Sequence, residues 1–225
     1  MQTWFKRLLV VGLYAVSMAW VESAVVVYLR VMIGRVVPYQ ADPLPISVGL
    51  GWIEVGREVA TLLMLGTVGW LAGKTFRGRA GYALVAFGLW DIFYYIFLIP
   101  MSGWPASLLD WDVLFLIPLP WWGPVLAPVL ISLLLILGGG LAAFSETLPQ
   151  PKWPHAWAWA LNLLGVGLAL YTFMEEAIHF LPAGEEAVRQ ALPAAFNWPL
   201  FLLALALMAV PVVEMGWQMR GSHST

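Results

Sequence analysis

Six long apolar segments restrict the folds open to this sequence more than any other feature. Each is long enough to cross the hydrocarbon core of a bilayer, which takes about 20 apolar residues in a helix. Charged residues make up only 11% of the chain, whereas a soluble domain has about 25%. The sequence therefore predicts an all-α, polytopic transmembrane helix bundle with spans at roughly 7–32, 49–72, 80–101, 123–145, 156–180 and 196–218.

The spans are predicted to form a single domain over residues 1–220. A short tail at 221–225 is either native or an artificial addition. The chain contains no cysteine, which excludes disulfides, thiolate metal sites and thiol redox chemistry. It also lacks a basic patch of useful size, so nucleic-acid binding is not expected.

The connection between the third and fourth spans is unusually apolar for a solvated linker. It covers 102–122 and reads SGWPASLLDWDVLFLIPLPWW. Its apolar part is too short to cross a bilayer, and Pro118 and Pro120 end it. Irregular backbone is tolerated at membrane depth where protein covers it, so we predict a re-entrant or interfacial segment that caps the outer side of the bundle. Asp110 or Asp112 is expected to cap its start.

The distribution of Lys and Arg predicts the orientation of the bundle. If six spans alternate in direction, seven of the eleven basic residues lie on one side, and the more basic side is taken as cytoplasmic. Both termini are then cytoplasmic, and the predicted location is the inner (cytoplasmic) membrane. Most acidic residues lie in the outer half. The basic residues assigned to the cytoplasmic side are Lys6, Arg7, Lys74, Arg77, Arg79, Lys152 and Arg220.

A polar stripe at the outer end of the fifth span has the most suggestive residue pattern. Thr172, Glu175, Glu176 and His179 fall within about 100° of one another on a helix. The Glu176-x-x-His179 spacing places a carboxylate and an imidazole one turn apart, and di-metal helix bundles use that arrangement to hold a metal. Carboxylates at membrane depth are costly and commonly mark functional sites.

Three other spans carry acidic residues that are predicted to reach the same outer-half layer. Glu22 lies about 21 Å from the inner edge of the first span, at about 1.5 Å of rise per residue. Asp91 lies near the middle of the third span, and the second span has a polar face of its own. The polar side chains that these three spans direct toward the layer are Glu22, Glu54, Arg57, Glu58, Thr61, Asp91, Tyr94 and Tyr95.

The predicted layer contains more negative than positive charge. Six carboxylates meet only Arg30 and Arg57, which leaves four uncompensated charges if every group ionises. A dry site does not tolerate that charge. Three solutions are open: protonated carboxyl groups, one or two bound divalent cations, or a wet cavity open to the outside. A simpler interpretation of part of the set is an ion pair of Arg57 with Glu22 or Glu58 that fixes helix register.

The metal hypothesis assigns a role to each of these residues. A carboxylate-rich site with a single histidine suits Mn, Fe, Mg, Ca or Zn, although ferritin-type di-iron sites use two Glu-x-x-His motifs and this chain has one. Glu58 and Asp91 are the expected general acid/base groups, and Arg57 is expected to orient a substrate carboxylate or an anionic headgroup. The expected metal ligands are Glu22, Glu58, Asp91, Glu176 and His179.

Three segments resemble an uncharacterised family of bacterial multispanning membrane proteins. They read WIEVGREVATLLML (52–65), GLWDIFYYIFL (88–98) and LLDWDVLFLIPLPWWGPVLAP (108–128). The likeness covers the first four spans. It implies an integral membrane fold, and it brings no activity, cofactor or site residue with it.

Three functions are open from the sequence, and the lipid bilayer is a partner in all of them. The first is a divalent-metal-dependent enzyme that acts on a lipid, a quinone or another hydrophobic substrate from the outer leaflet. The second is a proton or cation transporter that uses the same carboxylates as relay groups, although the inner half lacks a matching polar path. The third is a non-catalytic subunit or scaffold of a larger membrane complex, in which the polar cluster binds a partner or cofactor.

Overall fold

The computed structural model describes residues 2–35, 37–40, 48–116 and 118–221, most of which are helical. Seven α-helices and one two-stranded sheet lie within these ranges, together with a 3-10 turn at Leu181–Ala183. The helices are α1 (Gln2–Met32), α2 (Val48–Ala72), α3 (Phe76–Ser102), α4 (Leu126–Ser145), α5 (Ala156–Phe180), α6 (Glu185–Gln190) and α7 (Trp198–Gly221), and the strands are β1 (Trp111–Val113) and β2 (Trp122–Pro124).

Every helix in the described part of the chain except α6 is long and apolar enough to cross a membrane. The predicted all-helical protein with six candidate spans is therefore confirmed, and it fits an integral membrane protein. The orientation, with both termini cytoplasmic, stays a prediction. Of the predicted tail, Gly221 is the last residue of α7, and 222–225 lie outside the described residues.

Several predicted span boundaries differ from the helices by a few residues, and local contacts explain two of these differences. The third span begins at Phe76 rather than at 80, because the Thr75 side chain accepts a hydrogen bond from the Gly78 N–H at 3.1 Å and caps the helix. The fourth span begins at Leu126 rather than at 123, because residues 122–124 form β2. Hydropathy alone could not separate this apolar strand from the apolar helix that follows it.

The helices pack as two groups that α4 joins. α3 lies at the centre of the first group and contacts α1, α2 and α4, whereas α5 packs mainly against α7. A buried cluster around Val11, Ala15 and Tyr82 holds the first group together. A second cluster around Phe173 and Phe201 holds α5 and α7 together and includes Ala127 of α4. The packing leaves a space between the two groups near the hairpin.

Two glycines of α3 let this helix approach α4 closely. A Cβ on Gly81 would lie 2.6 Å from the carbonyl oxygen of Gly139, and a Cβ on Gly88 would lie 2.6 Å from the carbonyl oxygen of Ser132. Small residues allow such backbone contact between membrane helices. The contact at Gly88 also places Ser132 beside Asp91, one turn further along α3, where the Ser132 hydroxyl donates a hydrogen bond to the Asp91 carboxylate at 2.8 Å.

The apolar connection between α3 and α4 forms a β-hairpin. β1 and β2 are antiparallel, with Asp112 opposite Gly123. Before β1, the Asp110 carboxylate accepts hydrogen bonds from the Ala106 and Ser107 N–H groups at 2.8 and 3.2 Å, which closes the preceding turn. Asp112 and Trp122 are each only 2% exposed, so this connection is packed into the protein. Its predicted re-entrant or interfacial position stays a prediction.

Candidate binding cavity within the bundle

A cavity of about 310 Å³ lies between the hairpin and all six candidate spans. Its wall has two distinct sides. The side formed by α1, α2, α3 and β1 carries the charged groups. The side formed by α4, α5 and α7 is apolar apart from Ser132, and its remaining lining residues are Pro128, Ile131, Val166, Ala169, Leu170, Phe173 and Met208.

Five carboxyl groups and three guanidinium groups line this cavity. They come from different parts of the chain. One carboxyl group lies on α1, two lie on α2, one lies on α3 and one lies on the hairpin. The arginines lie on α1, on α2 and on the segment after α1. The carboxyl residues are Glu22, Glu54, Glu58, Asp91 and Asp112, and the arginines are Arg30, Arg35 and Arg57.

Arg57 forms ion pairs with two carboxylates and joins α1 to α2. Its guanidinium pairs with Glu22 of α1 and with Glu54, three residues earlier on α2, at 2.7 Å. The Thr61 hydroxyl donates a hydrogen bond to Glu22 at 3.2 Å. Glu54, Arg57 and Thr61 share one face of α2 because they are spaced three and four residues apart. Of the two ion pairs expected for Arg57, with Glu22 or with Glu58, the described structure has the one with Glu22; a role in helix register stays a prediction.

Arg30 forms the second buried ion pair, with Asp112 of β1. Its Nη2 lies 3.0 Å from Asp112 Oδ1, and its guanidinium lies over the Trp104 ring at 4.3 Å from the centroid. Burial raises the pKa of the Asp112 carboxyl above its ordinary value, and the neighbouring Arg30 charge opposes that rise. Sequence reasoning assigned Asp112 to the start of the loop and missed this contact. Arg30, an arginine at the end of a long apolar span, was the signal that an acidic partner was needed.

Glu58 and Asp91 are the two cavity carboxyl groups with no arginine at ion-pair distance in the described chain. Asp91 accepts the hydrogen bond from Ser132. The backbone N–H of Leu116, in the hairpin loop, approaches the Glu58 carboxylate. The Glu58 Oε2 atom is buried and has no hydrogen-bond partner among the described residues. A buried polar atom of this kind commonly marks a place where a ligand or water binds.

A second cavity of about 660 Å³ lies near the C-terminal end of α5. The polar stripe predicted from the sequence lines it, with Glu175, Glu176 and His179 together. Trp111, Trp122 and Asn197 complete much of the wall. The described structure therefore separates Glu176 and His179 from Glu22, Glu58 and Asp91, which line the first cavity.

An aromatic wall explains the separation of the two cavities. Phe173 lines both of them. Its ring stacks on Trp121 at a centroid distance of 6.3 Å and also contacts Phe196 at 5.8 Å. Phe173 lies one turn before Glu176 on α5, so its ring is part of the wall where the two cavities adjoin.

The predicted metal centre does not assemble from the described residues. Among them, no group of three or more His, Asp or Glu side chains is placed to hold a metal ion. The first cavity brings together Glu22, Glu58 and Asp91 from the expected ligand set, along with Arg57. Asp112, Arg35 and Ser132 also line it, and sequence reasoning assigned none of the three to this site. The sequence predicted an excess of four negative charges, and the cavity has an excess of two if every group ionises. Glu175 and Glu176 line the second cavity and are no longer counted. Arg35 and Asp112 add one charge of each sign.

Comparisons with protein-family models, with curated proteins and with solved structures find no match for this chain. The function is therefore argued from the chemistry of the cavity. Its volume is at the lower end of the range for small-molecule sites, which is about 300–1,000 Å³.

Proposed function

We propose that this protein binds a hydrophobic small molecule inside its transmembrane bundle, in the cavity between α1, α2 and α3 on one side and α4, α5 and α7 on the other. The apolar body of the ligand lies against α4, α5 and α7. Its polar group lies against α2 and α3, where Glu58 and Asp91 contact it. Such a ligand could be a lipid, a quinone or another membrane-soluble compound.

The observation that carries this proposal is the position of Glu58 and Asp91, which have no arginine at ion-pair distance among the described residues, opposite the apolar side of the cavity. Binding sites for small molecules are concave and mostly apolar, and they contain a few polar groups that fix the orientation of the ligand. Glu58 Oε2 is buried without a partner among the described residues, and Asp91 makes one hydrogen bond, with Ser132. Both carboxyl groups have remaining capacity to bind a ligand.

The other charged groups support the cavity wall in this proposal. Arg57 pairs with Glu22 and Glu54, and Arg30 pairs with Asp112 through its Nη2 atom, while its Nη1 atom is buried with no hydrogen-bond partner among the described residues. These contacts hold α1, α2 and the hairpin in fixed positions around the ligand. The hairpin then lies at membrane depth and closes one end of the cavity, which is the role predicted for a re-entrant segment.

An enzyme is the more specific version of this proposal. Glu58 and Asp91 would then exchange protons with the bound substrate as general acid and base, and Arg57 would act as a positioning residue through Glu22 and Glu54. A divalent metal is not part of the proposal, because Glu176 and His179 line the second cavity.

Photolabelling tests whether the cavity binds ligands. The purified protein in lipid nanodiscs is irradiated with a neutral aryl diazirine, trifluoromethyl-phenyl-diazirine, and labelled residues are mapped by mass spectrometry. Leu170 lines the cavity, so Leu170→Trp fills it. Leu163, on the same helix, is 68% exposed, and Leu163→Trp is the matched control.

We expect saturable labelling near Phe115 and Trp121, which line the cavity. Leu170→Trp should remove the saturable labelling, and Leu163→Trp should retain it. Labelling that never saturates and that occurs only on the outward faces of the helices would contradict the proposal.

A further inference from the structure

The geometry points to a lipophilic cation, an apolar molecule with one ammonium-like group, as the ligand of the central cavity. This inference rests on the proposed function and specifies its ligand class. Three independent features support it: the balance of charge, the aromatic lining and the division of the wall into a charged and an apolar side.

The charge balance calls for a positive ligand. Five carboxyl groups and three guanidinium groups line the cavity. Arg57 already pairs with two carboxylates, Glu22 and Glu54, and Arg30 pairs with Asp112. Glu58 and Asp91 have no arginine at ion-pair distance among the described residues. An ionised carboxylate in a low-dielectric site is strongly stabilised by a cation in contact with it, so a ligand with a positive group complements this wall.

The aromatic lining favours an organic cation over an inorganic one. Trp90, Tyr94, Phe115 and Trp121 line the cavity, and the Trp90 and Tyr94 rings stack at a centroid distance of 6.3 Å. The faces of aromatic rings attract ammonium groups, and the attraction grows as water is excluded. A metal ion needs several oxygen or nitrogen ligands around one point, and the described residues contain no such cluster.

The two-sided wall fixes how the cation is oriented. The carboxyl groups that lack an arginine come from α2 and α3, whereas the opposite side presents Ile131, Val166, Leu170 and Met208. An amphipathic ligand satisfies both sides when its positive group faces Glu58 and Asp91 and its apolar body faces α5 and α7. An anion would meet an excess of carboxyl groups, and a small hydrated cation would leave the apolar side uncovered.

A pair of probes that differ only in charge tests the inference. The first is an aryl diazirine with a trimethylammonium group, and the second is the same compound with an isosteric, neutral tert-butyl group. Saturable photolabelling of the purified protein in nanodiscs of zwitterionic lipid gives the apparent Kd of each probe. Zwitterionic lipid is needed because an anionic membrane would concentrate the cation at its surface.

We expect the cationic probe to bind the unaltered protein at least about tenfold more tightly than the neutral one. Glu58→Gln should weaken the cationic probe about tenfold and leave the neutral probe within about twofold. Asp91→Asn should also weaken binding of the cationic probe, and this variant replaces Glu58→Gln in the test if Glu58→Gln does not fold. Glu176→Gln, in the second cavity, should change neither Kd.

The outcomes separate this inference from the function on which it rests. Equal affinity for the two probes, with both blocked by Leu170→Trp, would overturn the cation inference and retain the binding cavity. Saturable labelling by neither probe would overturn both. Preferential binding of the cation that depends on Glu176 rather than on Glu58 or Asp91 would also overturn the inference, since the site would then be the second cavity.

Discussion

Arg30 and Asp112 lie 82 positions apart in the chain and form a buried ion pair at 3.0 Å. Arg30 is in the last turn of α1, and Asp112 is the central residue of β1. Their contact therefore attaches the hairpin to the first helix of the bundle. Both residues line the central cavity, so this ion pair joins two parts of the cavity wall.

Loss of Asp112 should destabilise the protein strongly. Asp112→Ala leaves the Arg30 charge buried and unpaired, which costs about 3–5 kcal/mol. We expect a clear decrease in the thermal unfolding midpoint in detergent, measured by loss of the monodisperse peak in size-exclusion chromatography. The hairpin should also become more sensitive to limited proteolysis.

The double substitution Arg30→Met with Asp112→Leu separates the cost of an unpaired charge from the contribution of the contact itself. Replacing both partners by apolar residues of similar size is often neutral for a buried pair. The double variant should therefore recover most of the stability that Asp112→Ala loses. If the double variant is as unstable as the single one, the unpaired charge is not the main cost.

Arg57 should be as important for the packing of α1 against α2. Arg57→Met leaves Glu22 and Glu54 without their shared cation, so we expect a loss of about 3–5 kcal/mol. Adding Glu22→Gln and Glu54→Gln removes the two unpaired charges and should restore part of the loss. Arg77, which is exposed and lies over the Trp153 ring, is the matched control, and Arg77→Met should cost less than about 1 kcal/mol. Equal losses for Arg57→Met and Arg77→Met in the same thermal assay would contradict the ion-pair network.

Hydropathy predicted the helices because the apolar residues of each span must be shielded from water along its whole length. Once the spans were known, the rise per residue predicted the depth of Glu22, Glu58 and Asp91 in the same outer-half layer. The rotation of 100° per residue predicted that Thr172, Glu175, Glu176 and His179 share one face of α5, and these four residues line the second cavity together. These predictions needed no knowledge of how the helices are arranged around one another.

The parts of the site that sequence reasoning missed depend on tertiary packing. Asp112 was assigned a capping role at the start of the segment, because the sequence does not show which acidic side chain of that segment lies next to Arg30. Sequence reasoning grouped Glu176 and His179 with Asp91, whereas these residues line two different cavities, with Phe173 in the wall of both. Depth and helical face place a residue on its own helix, but they do not reveal which helix lies opposite.

The separation of the two cavities predicts that they act independently. The purified protein is incubated with Mn, Fe or Zn and then washed. We expect no metal whose binding is lost both when Glu58 is replaced and when His179 is replaced. Elemental analysis of the protein and of the Glu58→Ala and His179→Ala variants tests this. A stoichiometric metal that is lost in both variants would show that one centre contains residues from both cavities.

The close contact of α3 with α4 gives a prediction with a control on the same pair of helices. Gly81→Ala places a Cβ 2.6 Å from the Gly139 carbonyl oxygen and 2.7 Å from the Ala143 backbone nitrogen, and backbone atoms cannot move aside as a side-chain end can. Overpacking of this kind costs about 1–3 kcal/mol, so the thermal unfolding midpoint in detergent should fall. Gly140→Ala on α4 has no atom within 4 Å of the new Cβ, and the higher helix propensity of alanine should leave the midpoint unchanged or raise it.

Because the α3–α4 contact also positions Ser132 beside Asp91, Gly81→Ala should weaken saturable photolabelling of the central cavity, and Gly140→Ala should not. Full retention of stability by Gly81→Ala would mean that the two helices do not approach each other this closely.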